Sequence, residues 1–199
     1  WLASGQPAGF IDFDPNPDNQ VLIPTRHHFV AKYSPKGRLL FAKGMEDLGA
    51  DEVPSSYNHN INVFNDGSFV ISGTALTSDF DPGPDQVLHT GYEYNQADFA
   101  SSFLAKYDSQ GNLQFLHSFI PINTPSPTQS TTNNYCRIRA QDITASGKIV
   151  LAGDVFGSVD FDPSPNGNAS GASRMFVAEY DHAGNYLRHY IFQNTFGTP

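Results

Sequence analysis

Sulfur-containing and basic side chains are scarce in this chain of 199 residues. It has one cysteine, two methionines, and 11 Lys and Arg against 20 Asp and Glu, which gives a net charge of −9. The single cysteine, Cys136, excludes an internal disulfide framework and does not distinguish an oxidising from a reducing compartment. Because a surface this negative repels phosphate backbones, we expect no nucleic-acid partner.

Long apolar runs and familiar catalytic motifs are also missing. The longest apolar runs, such as FVI at residues 69–71, fall far short of the roughly 20 residues that a membrane helix needs, so we expect no membrane insertion. The chain contains no HExxH, no GxSxG and no glycine-rich phosphate loop, and we therefore expect no enzyme. It begins at Trp1 and not at Met, which we interpret as a processed protein or a piece of a longer one.

Aromatic and turn-forming residues are abundant. Sixteen Phe and nine Tyr favour strands over helices. The 17 Gly and 14 Pro are rich for a helical protein and normal where tight turns join short strands. The composition therefore predicts an all-β fold.

Self-similar segments organise the chain. FVAKYSPKGRLLFAK at residues 29–43 matches FLAKYDSQGNLQFLH at 103–117 and FVAEYDHAGNYLRHY at 176–190. DGSFVISGTALTSDFDP at 66–82 matches SGKIVLAGDVFGSVDFDP at 146–163, and WLASGQPAGFIDFDP at 1–15 fits the same frame. We place repeat units at about 1–45 (partial), 58–120 and 137–193, within one region that spans residues 1–199.

Each unit reads as four antiparallel strands with a loop after the DFDP segment. Gly37, Gly111 and Gly184 fall in short links between strands, where a positive φ is expected. In the FVAKY strand, Phe, Ala and Tyr alternate with an aliphatic and a charged residue, so both faces have side chains to bury. Repeated four-stranded units are typical of β-propeller blades, whereas a sandwich does not require near-identical units and a solenoid repeat is usually shorter.

The DFDP segment followed by F(V/L)AKYD and a GN turn resembles the bacterial β-propeller repeat family labelled SBBP. The resemblance covers nearly the whole chain. It implies a β-propeller-like array of four-stranded blades that is secreted, periplasmic or on the outer cell surface of a bacterium. One partial and two full units give fewer blades than the four to eight of a closed propeller, so we expect an incomplete arc of a larger propeller. The remaining blades would come from the same longer chain or from another chain.

The recurring DFDP segment places acidic residues at alternating positions, as calcium loops do. The candidate calcium ligands are Asp12, Asp14, Asp18, Asp79, Asp81, Asp85, Asp160, Asp162 and Asn166. The prolines depart from the EF-hand pattern, and the alternative is that these side chains form Asx turns and hold backbone amides while the Phe packs between blades. We favour the second interpretation and expect no cofactor, with calcium as the alternative.

Residues that depart from the repeat are candidates for ligand binding. Tyr92, Glu93 and Tyr94 lie in a longer loop and would suit a sugar ring. Arg137, Arg139 and Asp142 lie on or near an innermost strand, which in a propeller lines the central channel. These six residues are the predicted ligand-binding set.

The sequence therefore predicts a non-catalytic secreted or cell-surface module for protein or glycan interaction, or for scaffolding. Two alternatives stay open. One is a propeller enzyme that acts on polysaccharide, with Asp142 or Glu93 as an acid. The other is a structural subunit completed by other chains in an envelope complex or filament.

Overall fold

The computed structural model describes residues 2–5, 9–25, 28–48, 60–90, 92–94, 97–99, 101–122, 135–164, 169–171 and 174–192. Within these ranges the protein is all-β, with twenty strands and no helix, so they contain no helix that could cross a membrane. The first strands are β1 (Leu2–Gly5), β2 (Gly9–Asp12), β3 (Leu22–Thr25), β4 (His28–Tyr33) and β5 (Leu39–Asp47).

The next strands in chain order are β6 (Asn60–Val63), β7 (Phe69–Ala75), β8 (Ser78–Asp79), β9 (Leu88–His89), β10 (Tyr92–Tyr94), β11 (Ala97–Phe99), β12 (Ser101–Tyr107) and β13 (Leu113–Phe119). The last are β14 (Pro121–Ile122), β15 (Tyr135–Ile143), β16 (Ile149–Phe156), β17 (Ser158–Asp160), β18 (Ala169–Gly171), β19 (Arg174–Tyr180) and β20 (Tyr186–Phe192).

Three main antiparallel sheets follow one another along the chain. The first sheet has the order β1-β4-β5-β8-β9, the second β13-β12-β7-β6 and the third β15-β16-β19-β20. The pairs β2–β3 and β10–β11 and the trio β14-β17-β18 form smaller sheets, and none of the sheets in the described ranges closes on itself. The all-β prediction and the four-stranded antiparallel sheets are confirmed.

The DFDP segments form short hairpins, whereas the sequence predicted loops. Strand β8 pairs with β9 and also with β5, where Asp79 lies opposite Glu46, so the first sheet gains two strands from the following unit. In the same way β17 pairs with β18 and with β14, which follows the last strand of the second sheet. Each of these hairpins is thus hydrogen-bonded to chain from the preceding unit, which covers a strand edge that would otherwise be open.

The second sheet is buried on both faces because its side chains alternate between two cores. Phe103, Ala105 and Tyr107 pack against Val30 and Met45 of the first sheet. This first inter-sheet core is completed by Phe69, Ile71, Ala75 and Phe80. Leu104, which lies between Phe103 and Ala105 in β12, belongs instead to a second inter-sheet core with the third sheet.

The second inter-sheet core joins the second and third sheets. Its members from the second sheet include Val70, Leu104 and Phe119. Those from the third sheet and its hairpin are Cys136, Ile138, Ile149, Leu151, Val155, Val159, Phe161, Phe176, Ala178 and Tyr180. The three sheets therefore stack face to face, with the second between the other two.

The phenylalanine of each DFDP segment is held in the same way. Phe80 and Phe161 are fully buried and Phe13 nearly so. In every case a tyrosine at the end of the FVAKY-type strand donates its hydroxyl hydrogen to the carbonyl of that phenylalanine. The three bonds are Tyr33 to Phe13 (2.9 Å), Tyr107 to Phe80 (2.9 Å) and Tyr180 to Phe161 (2.7 Å).

Candidate functional site

The third sheet has one face on the second inter-sheet core and one face directed away from it, called here the outer face. In β16, Ile149, Leu151 and Val155 enter the core, so the residues between them lie on the outer face. The strand registers arrange the outer face in rows. These rows are Tyr135–Phe156, Arg137–Asp154–Met175–Phe192, Ala140–Ala152–Val177–Tyr190 and Asp142–Val150–Glu179–Arg188.

Large apolar side chains are exposed on the outer face. Met175 is 60% exposed, Phe192 50%, Tyr190 49% and Phe156 46%. A contiguous exposed apolar patch of this kind, bordered by polar residues, is typical of an interaction surface.

The position of Phe192 is buried in the other two sheets. Phe192 in β20 occupies the position that Met45 has in β5 and Phe119 has in β13. Met45 and Phe119 are each only 2% exposed because the following sheet covers them. The sequence did not indicate the outer face, because alternation alone does not show which face a neighbouring sheet covers.

An aromatic and cationic group lies at the β15 edge of the outer face. The guanidinium of Arg137 lies 4.5 Å from the centre of the Tyr135 ring, and that ring stacks on Phe156 with centroids 6.1 Å apart. Arg139 Nε donates to Asp154 Oδ1 at 2.5 Å, and this hydrogen bond raises the pKa of Arg139. Arginine next to aromatic rings is a combination enriched at protein interfaces.

A second charged group surrounds Glu179 in the last of these rows. Arg188 donates to Glu179 Oε1 at 2.7 Å, and Lys148 Nζ lies 3.8 Å from Glu179 Oε2. The hydrogen bond from Arg188 is the main reason why the pKa of Glu179 is lowered. This carboxylate is therefore ionised and already paired at neutral pH.

Three of the six predicted ligand-binding residues lie in β15. Arg137 and Asp142 are exposed on the outer face, and Arg139 occupies the bulge between Ile138 and Ala140. The bulge turns Arg139 toward Asp154, so all three residues border the same face.

The other three predicted residues, Tyr92, Glu93 and Tyr94, form β10, which pairs with β11. The sequence predicted a loop here, and the structure has a hairpin. Their side chains lie outside the part of the chain that the structure describes, so their role in ligand binding stays a prediction.

The DFDP aspartates accept backbone amide hydrogens. Asp12 Oδ1 accepts from the amides of Asp14 and Val21, both at 3.0 Å, and Asp79 Oδ1 accepts from Asp81 and Val87, both at 3.0 Å. The bonds from the amides of Asp14 and Asp81 form the Asx turns that the alternative to calcium predicts, and those from Val21 and Val87 connect the two ends of each hairpin.

The remaining aspartates follow the same local pattern. Asp160 Oδ1 accepts the amide of Asp162 at 2.9 Å, and Asp14, Asp81 and Asp162 each accept the amide two residues further on. Asp18 and Asp85 are exposed, and Asn166 lies outside the described residues. Among the described residues no group of three His, Cys, Asp or Glu could hold a metal ion, and calcium binding stays a prediction.

Two further titratable groups are buried away from the outer face. Cys136 is buried, and burial raises the pKa of its thiol. His89 is fully buried, and its ring contacts Ser118 Oγ at 2.8 Å, Ser101 Oγ at 3.0 Å and the Ala75 carbonyl at 3.2 Å. Burial lowers the pKa of His89 to about 4. A neutral histidine enclosed in this way stabilises the fold and is closed to a substrate.

Comparison of the chain with protein-family models, with curated proteins and with solved structures finds no match.

Proposed function

We propose that this protein is a non-catalytic interaction module that binds a protein partner through the outer face of the third sheet. The observation that carries the proposal is the exposure of four large side chains, Phe156, Met175, Tyr190 and Phe192, on one face of the sheet. The equivalents of Phe192, which are Met45 in the first sheet and Phe119 in the second, are covered by the next sheet. A partner that covers the outer face would remove the same kind of apolar area from water.

The composition of the face favours a protein over a sugar or a reaction. Aliphatic, aromatic and arginine side chains lie side by side, as at the centre of protein interfaces. The carboxylates of Asp154 and Glu179 are each engaged by an arginine, which suits structural pairing better than acid–base chemistry. The glycan alternative depends on Tyr92 and Tyr94, and it remains a prediction.

We also propose the wider setting that the sequence predicted. The sheets would be blades of a β-propeller-like arc, exported to the periplasm, the cell surface or the medium of a bacterium. Face-to-face stacking of three sheets and the hairpins that join each sheet to the next support this arrangement.

Affinity capture tests the proposal. The immobilised chain is exposed to envelope and culture-medium proteins of the organism that makes it, and bound proteins are quantified by mass spectrometry. The double variant M175D/F192D should lose the specific partner, because two carboxylates would be buried unpaired in the interface. V63D is the matched control, since Val63 is 54% exposed on the edge strand of the second sheet. Equal capture by wild type and M175D/F192D would contradict the proposal.

A further inference from the structure

We propose that the protein partner of the outer face is the outer face of a second copy of this chain, joined about a two-fold axis. This inference rests on the proposed function and specifies its partner. It follows from the arrangement of charges on the outer face, which is complementary to itself when the order of its rows is reversed.

Most charged groups of the outer face are already paired within the chain. Arg139 binds Asp154, and Glu179 is held by Arg188 and Lys148. Because both carboxylates have a cation of their own, neither needs one from a partner, and both can be covered as pairs.

Two charged side chains of the face are left over. Arg137 and Asp142 are both exposed, and neither forms an ion pair with any of the described residues. The guanidinium of Arg137 lies 4.5 Å from the centre of the Tyr135 ring, and Asp142 Oδ1 accepts the amide hydrogen of Ile143 at 2.8 Å. The face therefore offers one cation and one anion to a partner.

The strand registers place these two charges on either side of a central row. The central row is Ala140–Ala152–Val177–Tyr190. The row that begins with Arg137 adjoins it on one side, and the row that begins with Asp142 adjoins it on the other. In β16, β19 and β20 successive rows are two residues apart, which is about 7 Å. The two charged rows are thus equally far from the centre.

A two-fold axis along the central row reverses the order of the rows in the second copy. The row of Arg137 then faces the row that contains Asp142 of the partner subunit, and symmetry makes the reverse contact at the same time. Opposite charges therefore meet twice in one dimer, although both come from β15. The face carries its own electrostatic complement, which favours a second copy over an unrelated protein.

The same axis gives Arg188 a role on the β20 side of the face. Phe192 lies opposite Arg188 of the partner subunit. The flat side of a guanidinium can stack on an aromatic ring while its N–H groups are bonded to a carboxylate. Arg188 already lies 5.6 Å from the centre of the Tyr190 ring while it donates to Glu179. It can therefore cover the phenylalanine without leaving Glu179.

The remaining opposed positions bury no carboxylate without a cation. Met175 faces Glu179 of the partner subunit, and Asp154 faces Val150 of the partner subunit. Glu179 and Asp154 keep the arginines that they bind within their own chain. In the central row, two alanines and Val177 are small enough to let the two sheets approach.

Contact about a two-fold axis joins identical surfaces, so it stops at two copies. It covers Met175 and Phe192 in both copies, and these side chains are 60% and 50% exposed in the single chain. Two sheets whose inner side chains interdigitate in this way form the packing of a β-sandwich. The expected assembly is a closed dimer.

Sedimentation velocity of the 199-residue chain over a wide concentration range tests the inference. Wild type should form dimers. R137D and D142R should each raise the dissociation constant by about tenfold or more, because each places like charges opposite one another at two points of the dimer. The double variant R137D/D142R restores both contacts with the charges exchanged and should regain most of the lost affinity. V63D, on the edge strand of the second sheet, is the control that should still dimerise.

A mixture of the two single variants gives a second measurement. R137D and D142R should each be largely monomeric at a concentration at which wild type is dimeric. Mixed in equal amounts, they should form a dimer, because both charge contacts between the two different chains are then opposite in sign. Both positions are exposed, and circular dichroism and the thermal midpoint report intact folding.

A monomeric wild type, or a mixture that associates no better than either variant alone, would overturn the inference. The capture experiment separates this failure from that of the proposed function. A monomer that still captures a different protein through the outer face would leave the proposed function standing and refute only the second copy. A monomer whose M175D/F192D variant captures the same proteins as wild type would refute both.

Discussion

At the scale of single residues, the most constrained titratable group is His89. The Ala75 carbonyl can only accept a hydrogen bond, which assigns the proton of the neutral ring to Nε2. Nδ1 then accepts from the Ser118 hydroxyl. Both ring nitrogens are satisfied in the neutral form, and a second proton on Nδ1 would require the Ser118 hydroxyl to turn from donor to acceptor. The burial that closes this site is also what lowers the pKa of His89.

We predict that His89 makes the protein acid-sensitive. Its pKa is about 4 in the folded state against 6.5 for an unperturbed histidine, so between these values the unfolded state binds a proton that the folded state does not. The free energy of unfolding should therefore fall as the pH drops below 6.5, by about 3 kcal/mol on reaching pH 4 at 1.36 kcal/mol per pKa unit.

Urea unfolding of wild type and H89N at pH 7 and pH 4.5 measures this effect. H89N should be less stable than wild type at pH 7 and should lose less stability on acidification. The aspartates and the other histidines titrate in both proteins, so the difference between the two losses isolates His89. Equal losses in the two proteins would refute the prediction.

At the scale of elements, the DFDP hairpins connect neighbouring units. In the second unit, Asp79 holds both strands of the hairpin through the amides of Asp81 and Val87. The hairpin in turn adds β8 to the first sheet next to β5. One carboxylate therefore supports the local turn and the pairing between units.

We predict that the amides, and not an ion, set the stability of this hairpin. D79A should lower the free energy of unfolding by about 1–3 kcal/mol, because the amides of Asp81 and Val87 lose their acceptor. D79N keeps an acceptor oxygen at the same place and should lose clearly less. Thermal unfolding in calcium chloride and in EGTA should give the same midpoint for wild type. A midpoint that rises with calcium in wild type, and in neither variant, would show that the loop holds an ion instead.

The sequence predicted the strands well and their distant partners poorly. Repeated segments rich in apolar residues predicted β7, β12, β16 and β19, because the residues that form one strand are adjacent in the sequence. The pairing of Asp79 with Glu46 depends on residues far apart in the chain, so no local pattern indicated it. The outer face was missed for a similar reason: Phe119 and Phe192 occupy equivalent positions in the repeat, and only the presence of a following sheet makes one buried and the other exposed.

At the scale of the whole molecule, stability comes from stacking of one sheet on the next. Gly37 and Gly184 occupy the same turn position with φ of 79° and 88°. Gly184 lies under Phe115 of the second sheet, whereas the turn at Gly37 has no described atom in that place. Substitutions at these two glycines can therefore separate two effects on the free energy of unfolding. One is the cost of a side chain in the turn conformation, and the other is the cost of disturbing a contact between sheets.

We predict that G184A costs more stability than G37A. Both substitutions put a side chain at a positive φ, which costs roughly 1–2 kcal/mol. G184A must also push Phe115 away from the turn, which adds about 1–3 kcal/mol of overpacking. Guanidinium unfolding of dilute protein measures both changes, and equal losses would show that the contact between the sheets is not tight.

Because β8 pairs with β5, the hairpin of β8 and β9 belongs to the second repeat unit in the sequence but to the first sheet by its hydrogen bonds. A polypeptide cut at the repeat boundary between residues 45 and 58 would release a first unit without the strands β8 and β9 that complete its sheet. The second unit would keep a hairpin with no strand to join. A cut after β9 would instead separate β6 and β7 from β12 and β13, so no single cut between these two units leaves both the first and the second sheet complete. This offset also means that, during synthesis, the first sheet is complete only after the hairpin of the second unit has left the ribosome.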